Sequence, residues 1–190
     1  MADNNLRRVP VVNDIGVLKG IVTDGDVSRS APSDASTLSK YEANYLMGKL
    51  KVKDIMKKAV VTVKANDAIE TVAYLLYKNK IGAIPVVDEN SKVCGIISDT
   101  DVFKVLVDIL GYAQNSTKIT IDATDKVGVL AELADIFKKR GVNIISIVTR
   151  EMGGTTREIL IRADLTNSMD IIEEIRDAGF NITDISTLKV

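Results

Sequence analysis

The residues with the clearest chemical potential in this chain form the same short pattern twice. Each copy has a glycine, two apolar residues, a hydroxyl residue and, three positions later, a carboxylate. The copies are Gly20-Ile-Val-Thr23-Asp-Gly-Asp26 and Gly95-Ile-Ile-Ser98-Asp-Thr-Asp101. An ionised carboxylate only accepts hydrogen bonds, and a hydroxyl beside a helix N-terminus suits an anion such as a phosphate. The alternative is structural, because the same residue types are favoured as helix N-caps.

Composition restricts the chemistry further. The 190 residues include no histidine and one cysteine, so triads, His-based zinc sites and thiolate clusters are excluded, and we expect no metal. The net charge of −1 gives no overall field that would recruit nucleic acid or an anionic membrane. The unpaired Cys94 and the lack of a long apolar run indicate a cytoplasmic protein without a membrane span.

The two patterns lie inside a longer internal repeat that aligns without a gap. VPVVNDIGVLKGIVTDGDV (residues 9–27) and IPVVDENSKVCGIISDTDV (residues 84–102) are offset by 75 positions throughout. Each copy predicts a β-hairpin, with a turn at Asp88–Lys92 in the second. Apolar residues at helical spacing predict one helix on either side of the second hairpin. Their stripes are Ile69, Val72, Ala73 and Leu76 before it, and Val102, Val105, Leu106 and Ile109 after it, with Gly111 as the C-cap.

This repeat resembles the CBS-domain pair, also called a Bateman module. The resemblance implies a nucleotide site between the two units for AMP, ADP, ATP or another adenosine compound, which acts as a regulatory ligand and not as a cofactor. One aspartate would then accept both ribose hydroxyls, and the apolar residue and proline that open each hairpin would wall a purine. The residues that it assigns to the site are Val9, Pro10, Thr23, Asp26, Val60, Val61, Ile84, Pro85, Ser98 and Asp101.

The first unit lacks a counterpart to the beginning of the second. About 30 residues, from Val52 onward, precede the second hairpin, whereas only MADNNLRR precedes the first. At the repeat offset Met1 falls on Leu76, so we expect an N-terminally truncated first unit; a naturally degenerate unit is the alternative. Only the second unit is complete, with a short strand predicted near Val60–Val63 that would wall the base, so we expect binding to depend on Asp101 more than on Asp26.

Positive charge near the first pattern has two interpretations. Gly25 and Thr100 stand where the family often carries a basic residue, which weakens the case for a polyphosphate. Arg7, Arg8 and Arg29 could supply that charge at the first site. The alternative is that these arginines are solvated.

The segment between the units is longer than a minimal linker. SDASTLSKYEANYLMGKLKVKDIM (residues 33–56) predicts a helix over 36–51, with an apolar stripe of Leu38, Tyr41, Tyr45 and Leu46. The sequence of this segment resembles that of the acetoin-utilisation B-type subgroup of CBS proteins. The lysines that follow are interpreted as a solvated helix end rather than as a polyanion site. The CBS pair would thus cover 1–112, with an incomplete first unit (1–35), the linker helix (36–51) and a second unit (52–112).

A different pattern begins after a short polar linker. Residues 117–190 predict the order βαββαβ, a ferredoxin-like antiparallel sheet with two helices, so the fold class of the chain is α+β. The apolar faces of the helices are Leu130, Leu133, Ala134 and Phe137, and Ile171, Ile172 and Ile175.

The C-terminal pattern resembles the ACT domain, a small regulatory module that pairs side by side and binds amino acids. Its most specific part is the turn at residues 125–130, where Gly128 would let the backbone approach a ligand carboxylate. Val127 departs from the proline of many members. The residues that the resemblance assigns to a small molecule are Asp125, Val127, Gly128, Val129, Leu130, Asn143 and Ile144. The alternative is that Gly128 starts a helix and Asn143 follows a turn.

Together these patterns predict a cytoplasmic ligand-sensing regulatory protein. It would form a homodimer or higher oligomer, bind an adenosine nucleotide and an amino acid, and act on an unidentified enzyme. The alternative function is a structural dimerisation module with vestigial sites. An enzyme based on Asp24, Asp26, Asp99 and Asp101 is the weakest alternative, because both pairs lie in a capping context and no nucleophile accompanies them.

Overall fold

The chain folds into two compact units, Met1–Val102 and Phe103–Val190. The structure is a computed structural model, and the residues that it describes are 1, 4, 6–31, 40–112, 115–165 and 170–188. The sequence suggested a division at the polar linker after residue 112. The observed division lies earlier, within a helix, whose end belongs to the second unit. There Ser146 Oγ donates to the carbonyl oxygen of Leu110 at 2.9 Å.

The first unit contains two hairpins and several helices. Its elements are β1 (Arg8–Val12), β2 (Leu18–Thr23), α1 (Asp24–Ser30), α2 (Lys40–Lys49), α3 (Val52–Ile55), α4 (Ile69–Asn79), β3 (Ala83–Val87) and β4 (Val93–Ser98). Helix α5 (Asp99–Ile109) follows β4 and crosses the division between the units.

The predicted repeat is confirmed in the pairing of the strands. Arg8 lies opposite Thr23 in the first hairpin, and their counterparts Ala83 and Ser98 lie opposite each other in the second. Both hairpins carry a β-bulge at the corresponding position of the first strand. The repeat is therefore kept in three dimensions residue by residue.

The two hairpins also bond to each other through equivalent residues. Leu18 N donates to the Ser91 carbonyl at 3.0 Å, and Val93 N donates to the Gly16 carbonyl at 3.0 Å. Leu18 corresponds to Val93 and Gly16 to Ser91 in the repeat. A local two-fold relationship therefore links the hairpins of the first unit.

The hairpins nevertheless differ in how they are covered. At Gly20 an added Cβ would lie 2.7 Å from the sulfur of Met56, whereas at Gly95 it would meet no described heavy atom within 4 Å. The adjoining Ile21 is only 9% exposed and Ile96 is 40% exposed. The segment around Met56 thus covers the first hairpin, and the matching face of the second is open.

One expectation for the first unit was wrong. The strand near Val60–Val63 is a single parallel bridge between Val63 and Val86, which is too short for a strand. The linker helix is described over Lys40–Lys49, where Tyr41 and Tyr45 are exposed; Leu38 and the predicted start of the helix lie outside the described residues. The α5 stripe is half-buried at Val102 and Val105 and exposed at Leu106 and Ile109.

The first unit has a small core around α4. Val72 and Leu76 of α4 pack with Val63 and Ile84, as the predicted stripe of this helix requires. Asp67 does not cap α4; its carboxylate accepts from Lys64 N at 2.8 Å. Burial of the helix face, rather than a side-chain cap, therefore holds α4 in place.

The second unit has the predicted ferredoxin-like order. Its elements are β5 (Ser116–Thr124), α6 (Val129–Lys139), β6 (Ile144–Gly153), β7 (Thr156–Ala163), α7 (Asp170–Asp177) and β8 (Asn181–Leu188). The strands form one antiparallel sheet in the order β6-β7-β5-β8. The predicted fold class is confirmed.

One face of this sheet carries the larger core of the protein. The fully buried side chains include Ile119 and Ile161 of the sheet, Leu133 and Phe137 of α6, and Ile175 of α7. Leu130 is the exception to the predicted α6 stripe, because it is exposed and Ile136 is buried instead. The helix therefore turns Leu130 towards the outside of the core.

Candidate functional sites

The first hydroxyl–carboxylate pattern forms a capping box at α1. The Asp26 carboxylate accepts from Thr23 N at 3.0 Å and from Thr23 Oγ1 at 2.7 Å, and Thr23 Oγ1 accepts from Asp26 N at 3.1 Å. Asp26 is buried, and its second oxygen pairs with Arg29. The hydrogen bond from the Thr23 hydroxyl is the main cause that holds the pKa of Asp26 below its ordinary value. The capping interpretation is thus realised at this position.

The second pattern repeats this geometry in a more exposed setting. Ser98 N and Ser98 Oγ donate to the Asp101 carboxylate at 2.8 and 2.6 Å. Both residues are accessible, in contrast to the buried Asp26. The two patterns are therefore equal in local geometry and unequal in surroundings.

A cavity of about 220 Å³ adjoins the first pattern. Apolar side chains and a glycine form its walls, and three cationic side chains and the Thr23 hydroxyl supply its polar groups. Its lining residues are Arg8, Ile21, Thr23, Lys57, Ala59, Val60, Val61, Lys80, Ile81, Gly82 and Ala83. The cavity combines apolar walls, a hydroxyl and positive charge, and these groups suit a nucleoside monophosphate.

The cavity brings together only some of the predicted nucleotide-binding residues. Thr23, Val60 and Val61 line it, and Asp26 adjoins it through its bonds to Thr23. Ser98 and Asp101 do not line it. The sequence placed Val60 beside Asp101; the structure places it beside the first pattern.

The predicted purine wall is not part of this cavity. Ile84 and Pro85 are fully buried, because both faces of β3 are covered and Ile84 packs in the α4 core. Val9 and Pro10 pair with Val22 and Ile21 in the first hairpin and do not line the cavity. The apolar walls come instead from Ile21, Val60, Val61 and Ala83.

The sequence did not identify Lys57 and Lys80 as site residues, and it named Arg8 only as a possible source of charge. Arg8 is held in place, since its Nη1 donates to the Gly82 carbonyl at 3.2 Å. Gly82 leaves room for this contact, because a Cβ there would displace the Arg8 guanidinium and lie 2.9 Å from Asp99 Oδ2. Lys57 reaches the site through the antiparallel bridge between its backbone and Ile21. These contacts join residues that are distant in sequence.

The second unit has its own cavity, of about 360 Å³, at the start of α6. Its lining residues are Thr124, Asp125, Lys126, Gly128, Val129, Leu130, Ala131, Thr149, Arg157 and Ile159. Gly128 has a φ of +95° and precedes α6, so the predicted glycine turn is present and favours glycine.

A bidentate ion pair organises this second cavity. Arg157 Nε donates to Asp125 Oδ1 at 3.0 Å and Nη2 donates to Oδ2 at 2.9 Å. This pair holds the pKa of Asp125 below its ordinary value and raises the pKa of Arg157. The carboxylate is thus already engaged, and Arg157 was not identified from the sequence.

The predicted small-molecule residues divide between this cavity and its surroundings. Asp125, Gly128, Val129 and Leu130 line it. The remaining three do not line it, and these are Val127, Asn143 and Ile144. Val127 is fully exposed because the turn before Gly128 projects it into solvent.

Two negative observations concern the described part of the chain. No group of three or more His, Cys, Asp or Glu side chains there is arranged to hold a metal ion. None of the helices in that part combines the length and apolar character that a membrane span requires.

Models of two protein families match the chain. Residues 1–33 and 52–108 match the CBS domain, and residues 117–176 match the ACT domain. The first match contains both hairpins and α5, and the second contains most of the ferredoxin-like unit.

Several individual relatives match about half of the chain. The uncharacterized protein MJ1225 of Methanocaldococcus jannaschii is 38% identical over 105 residues, which are 55% of this chain and 37% of that protein. A homoserine O-acetyltransferase of Methanosalsum zhilinae is 33% identical over 106 residues, which are 56% of this chain and 19% of the enzyme. The solved structure of CBSX2 in complex with AMP is 25% identical, covers 57% of this chain and 78% of that chain, and has a TM-score of 0.47. The chain spans less than half the length of these two curated relatives.

Proposed function

Because the chain contains a CBS domain pair followed by an ACT domain, we propose that it is a regulatory protein that senses an adenosine-type nucleotide. The observation that carries this proposal is the cavity at Thr23, where apolar walls and three cationic side chains adjoin a hydroxyl–carboxylate pair. The nucleotide is AMP, ADP, ATP or another adenosine compound, and it acts as a regulatory ligand.

The shape of the cavity suggests how a nucleotide is oriented. A volume of about 220 Å³ is below the range of about 300–1,000 Å³ that is typical of small-molecule pockets. The base therefore occupies the apolar part, against Val60, Val61 and Ala83, and the phosphate extends outward. Lys57 and Lys80 are exposed, so they meet the phosphate on the open side.

Asp26 is the aspartate that we assign to the ribose. It adjoins the cavity through Thr23, whereas Asp101 belongs to the more exposed second pattern. Arg29 occupies the Asp26 oxygen that a ribose diol would need, and its side chain is 68% exposed. Nucleotide binding therefore requires that Arg29 moves away, which replaces one charge-assisted contact by two hydroxyl donors.

Calorimetry with AMP and adenosine tests this assignment. Lys57→Gln should weaken AMP binding about tenfold and leave adenosine binding nearly unchanged, since it removes one phosphate contact. Lys58→Gln is the matched control, because Lys58 is also exposed and does not line the cavity. Asp26→Asn should weaken both ligands.

The outcomes distinguish an error in the location of the site from an error in the proposed function. Binding of AMP that is lost in Asp101→Asn and unchanged in Asp26→Asn would move the site to the second pattern. If AMP, ADP, ATP and S-adenosylmethionine all give no heat of binding in calorimetry, the nucleotide proposal as a whole is refuted.

For the ACT domain we propose an amino-acid ligand in the cavity at Gly128. The ligand carboxylate would meet the backbone donors at the start of α6, and its side chain would contact Val129 and Leu130. Asp125 can receive the ligand amino group only by sharing its oxygens with Arg157. A thermal-shift screen of the twenty amino acids tests this; no shift with any of them would contradict it.

The second candidate function is a dimerisation module, and exposed apolar side chains on α5 favour it. Phe103, Leu106 and Ile109 are all at least 49% exposed. Apolar surface of this kind marks contacts between proteins, so we propose a homodimer or higher oligomer. A monomer by light scattering at micromolar concentration would contradict the oligomer.

The remaining parts of the proposal concern the cellular role. We propose a cytoplasmic location and a regulated enzyme as the partner. The acetoin-utilisation resemblance of residues 33–56 extends the proposal to carbon metabolism, and deletion of the gene should then slow growth on acetoin. Unchanged growth would remove that extension and leave nucleotide sensing untouched.

A further inference from the structure

The sheet of the second unit has a second face, opposite α6 and α7. Ile119, Ile159 and Ile161 point to the helices, so Leu160 and Arg162, which alternate with them, point to the other face. The end of α5 lies against this face. A cleft of about 340 Å³ remains between them.

The cleft is almost entirely apolar. Its walls are Leu106, Val107 and Leu110 from the end of α5, and Val148 and Leu160 from the sheet. It is separate from the cavity at Gly128, and the two share no lining residue. Neither the nucleotide nor the amino-acid proposal uses it.

Local contacts fix the width of the cleft. Ser146 Oγ donates to the Leu110 carbonyl at 2.9 Å and so holds the end of α5 on the sheet. Gly111 follows with a φ of +65°, and its backbone lies so close to Ile145 that a Cβ would collide with that side chain. The helix end therefore cannot settle further to close the space.

One positive charge at the cleft has no carboxylate partner within the described residues. The Arg162 guanidinium lies 5.3 Å from the centre of the Tyr112 ring, and Nη1 donates to Ser116 Oγ at 3.1 Å. Lys118, the other cation at the cleft, is paired with Asp184 at 3.0 Å. Arg162 thus offers a planar set of donors to an anion at the edge of an apolar space.

We propose that this cleft binds a small amphipathic monocarboxylate, with its apolar tail among the α5 and sheet side chains and its carboxylate on Arg162. A half-buried arginine beside apolar walls matches such a ligand in both charge and polarity. The volume lies in the range of small-molecule sites and is too small for a folded partner segment.

The test is calorimetric titration of the full chain with hexanoate, octanoate and decanoate, below the concentrations at which they self-associate. The dissociation constant should fall about fourfold for each added CH₂, because each buried CH₂ contributes about 0.8 kcal/mol. Decanol should bind at least tenfold more weakly than decanoate, since it cannot form the charged contact with Arg162.

Two variants and one control test the residues. Arg162→Gln should abolish the preference for decanoate over decanol, whereas Arg150→Gln, which removes a carboxylate-paired arginine of the same sheet face, should not. Val148→Thr, a change of similar volume, should weaken all three carboxylates. No saturable binding, equal affinity for decanoate and decanol, or a Val148→Thr effect on oligomeric state alone would each overturn the proposal.

Discussion

Gly111 and Gly141 follow helices α5 and α6 with the same backbone torsion, a φ of +65°, and they differ in their surroundings. A Cβ at Gly111 would collide with the Ile145 side chain, whereas a Cβ at Gly141 would meet no described heavy atom within 4 Å. Gly141→Ala therefore measures the cost of the left-handed conformation alone. Gly111→Ala measures that cost together with the collision.

The expected magnitudes follow from these two contributions. A left-handed residue with a Cβ costs about 1–2 kcal/mol, so Gly141→Ala should lower the free energy of unfolding by about that amount. Overpacking costs a further ~1–3 kcal/mol, so Gly111→Ala should lower it by about 2–5 kcal/mol. The reduced entropy of the unfolded chain offsets both variants equally and cancels in their difference.

Amide hydrogen exchange at β5 and β7 provides the measurement, because it reports the second unit separately from the first. The slowest amides should exchange faster in Gly111→Ala than in Gly141→Ala, by the factor that corresponds to about 1–3 kcal/mol. Equal effects of the two substitutions would refute the reasoning. Ile145 would then move aside at little cost, and the end of α5 would not be rigidly placed.

Three further predictions concern other parts of the molecule. Ile21→Thr should cost about 1–2 kcal/mol more than Ile96→Thr in urea unfolding, because Ile21 is 9% exposed and Ile96 40% exposed; equal costs would contradict the difference in coverage. The lowered pKa of Asp26 means that the unfolded chain takes up a proton at higher pH, so stability is lost as the pH falls through the folded pKa. Asp26→Asn should therefore flatten the acid side of the stability profile, and an unchanged slope would exclude this contribution. Arg157→Met should raise the pKa of Asp125 towards its ordinary value in a carboxyl NMR titration, whereas an unshifted titration would show that the ion pair does not form in solution.

Local patterns of the sequence predicted the hairpins and the ferredoxin-like order well. Alternation and turn residues act within a few positions, so the ungapped repeat was enough to predict both hairpins, in which Arg8 lies opposite Thr23 and Ala83 opposite Ser98. The stripe of α7 was confirmed for the same reason, with Ile175 fully buried.

The candidate site was harder to predict, because it depends on contacts between distant segments. Lys57 lines the cavity because the segment before α4 bonds to the first hairpin, and Lys80 lines it from the end of α4. The sequence pattern assigned Ile84 and Pro85 to an accessible wall against the purine. Both are buried, since tertiary packing covers both faces of β3. Val60 lies beside the first pattern instead of the second for the same reason, because the segment before α4 bonds to the hairpin of the other repeat unit.

The paired bonds between the two hairpins have a consequence for assembly. Since Leu18 and Val93 donate to equivalent acceptors, the first hairpin of one chain can bond to the second hairpin of another without losing a hydrogen bond. Such domain exchange is opposed by the connection between the hairpins, which keeps the two hairpins of one chain close to each other. At low concentration each chain therefore closes on itself, and at high concentration neighbouring chains are expected to exchange hairpins.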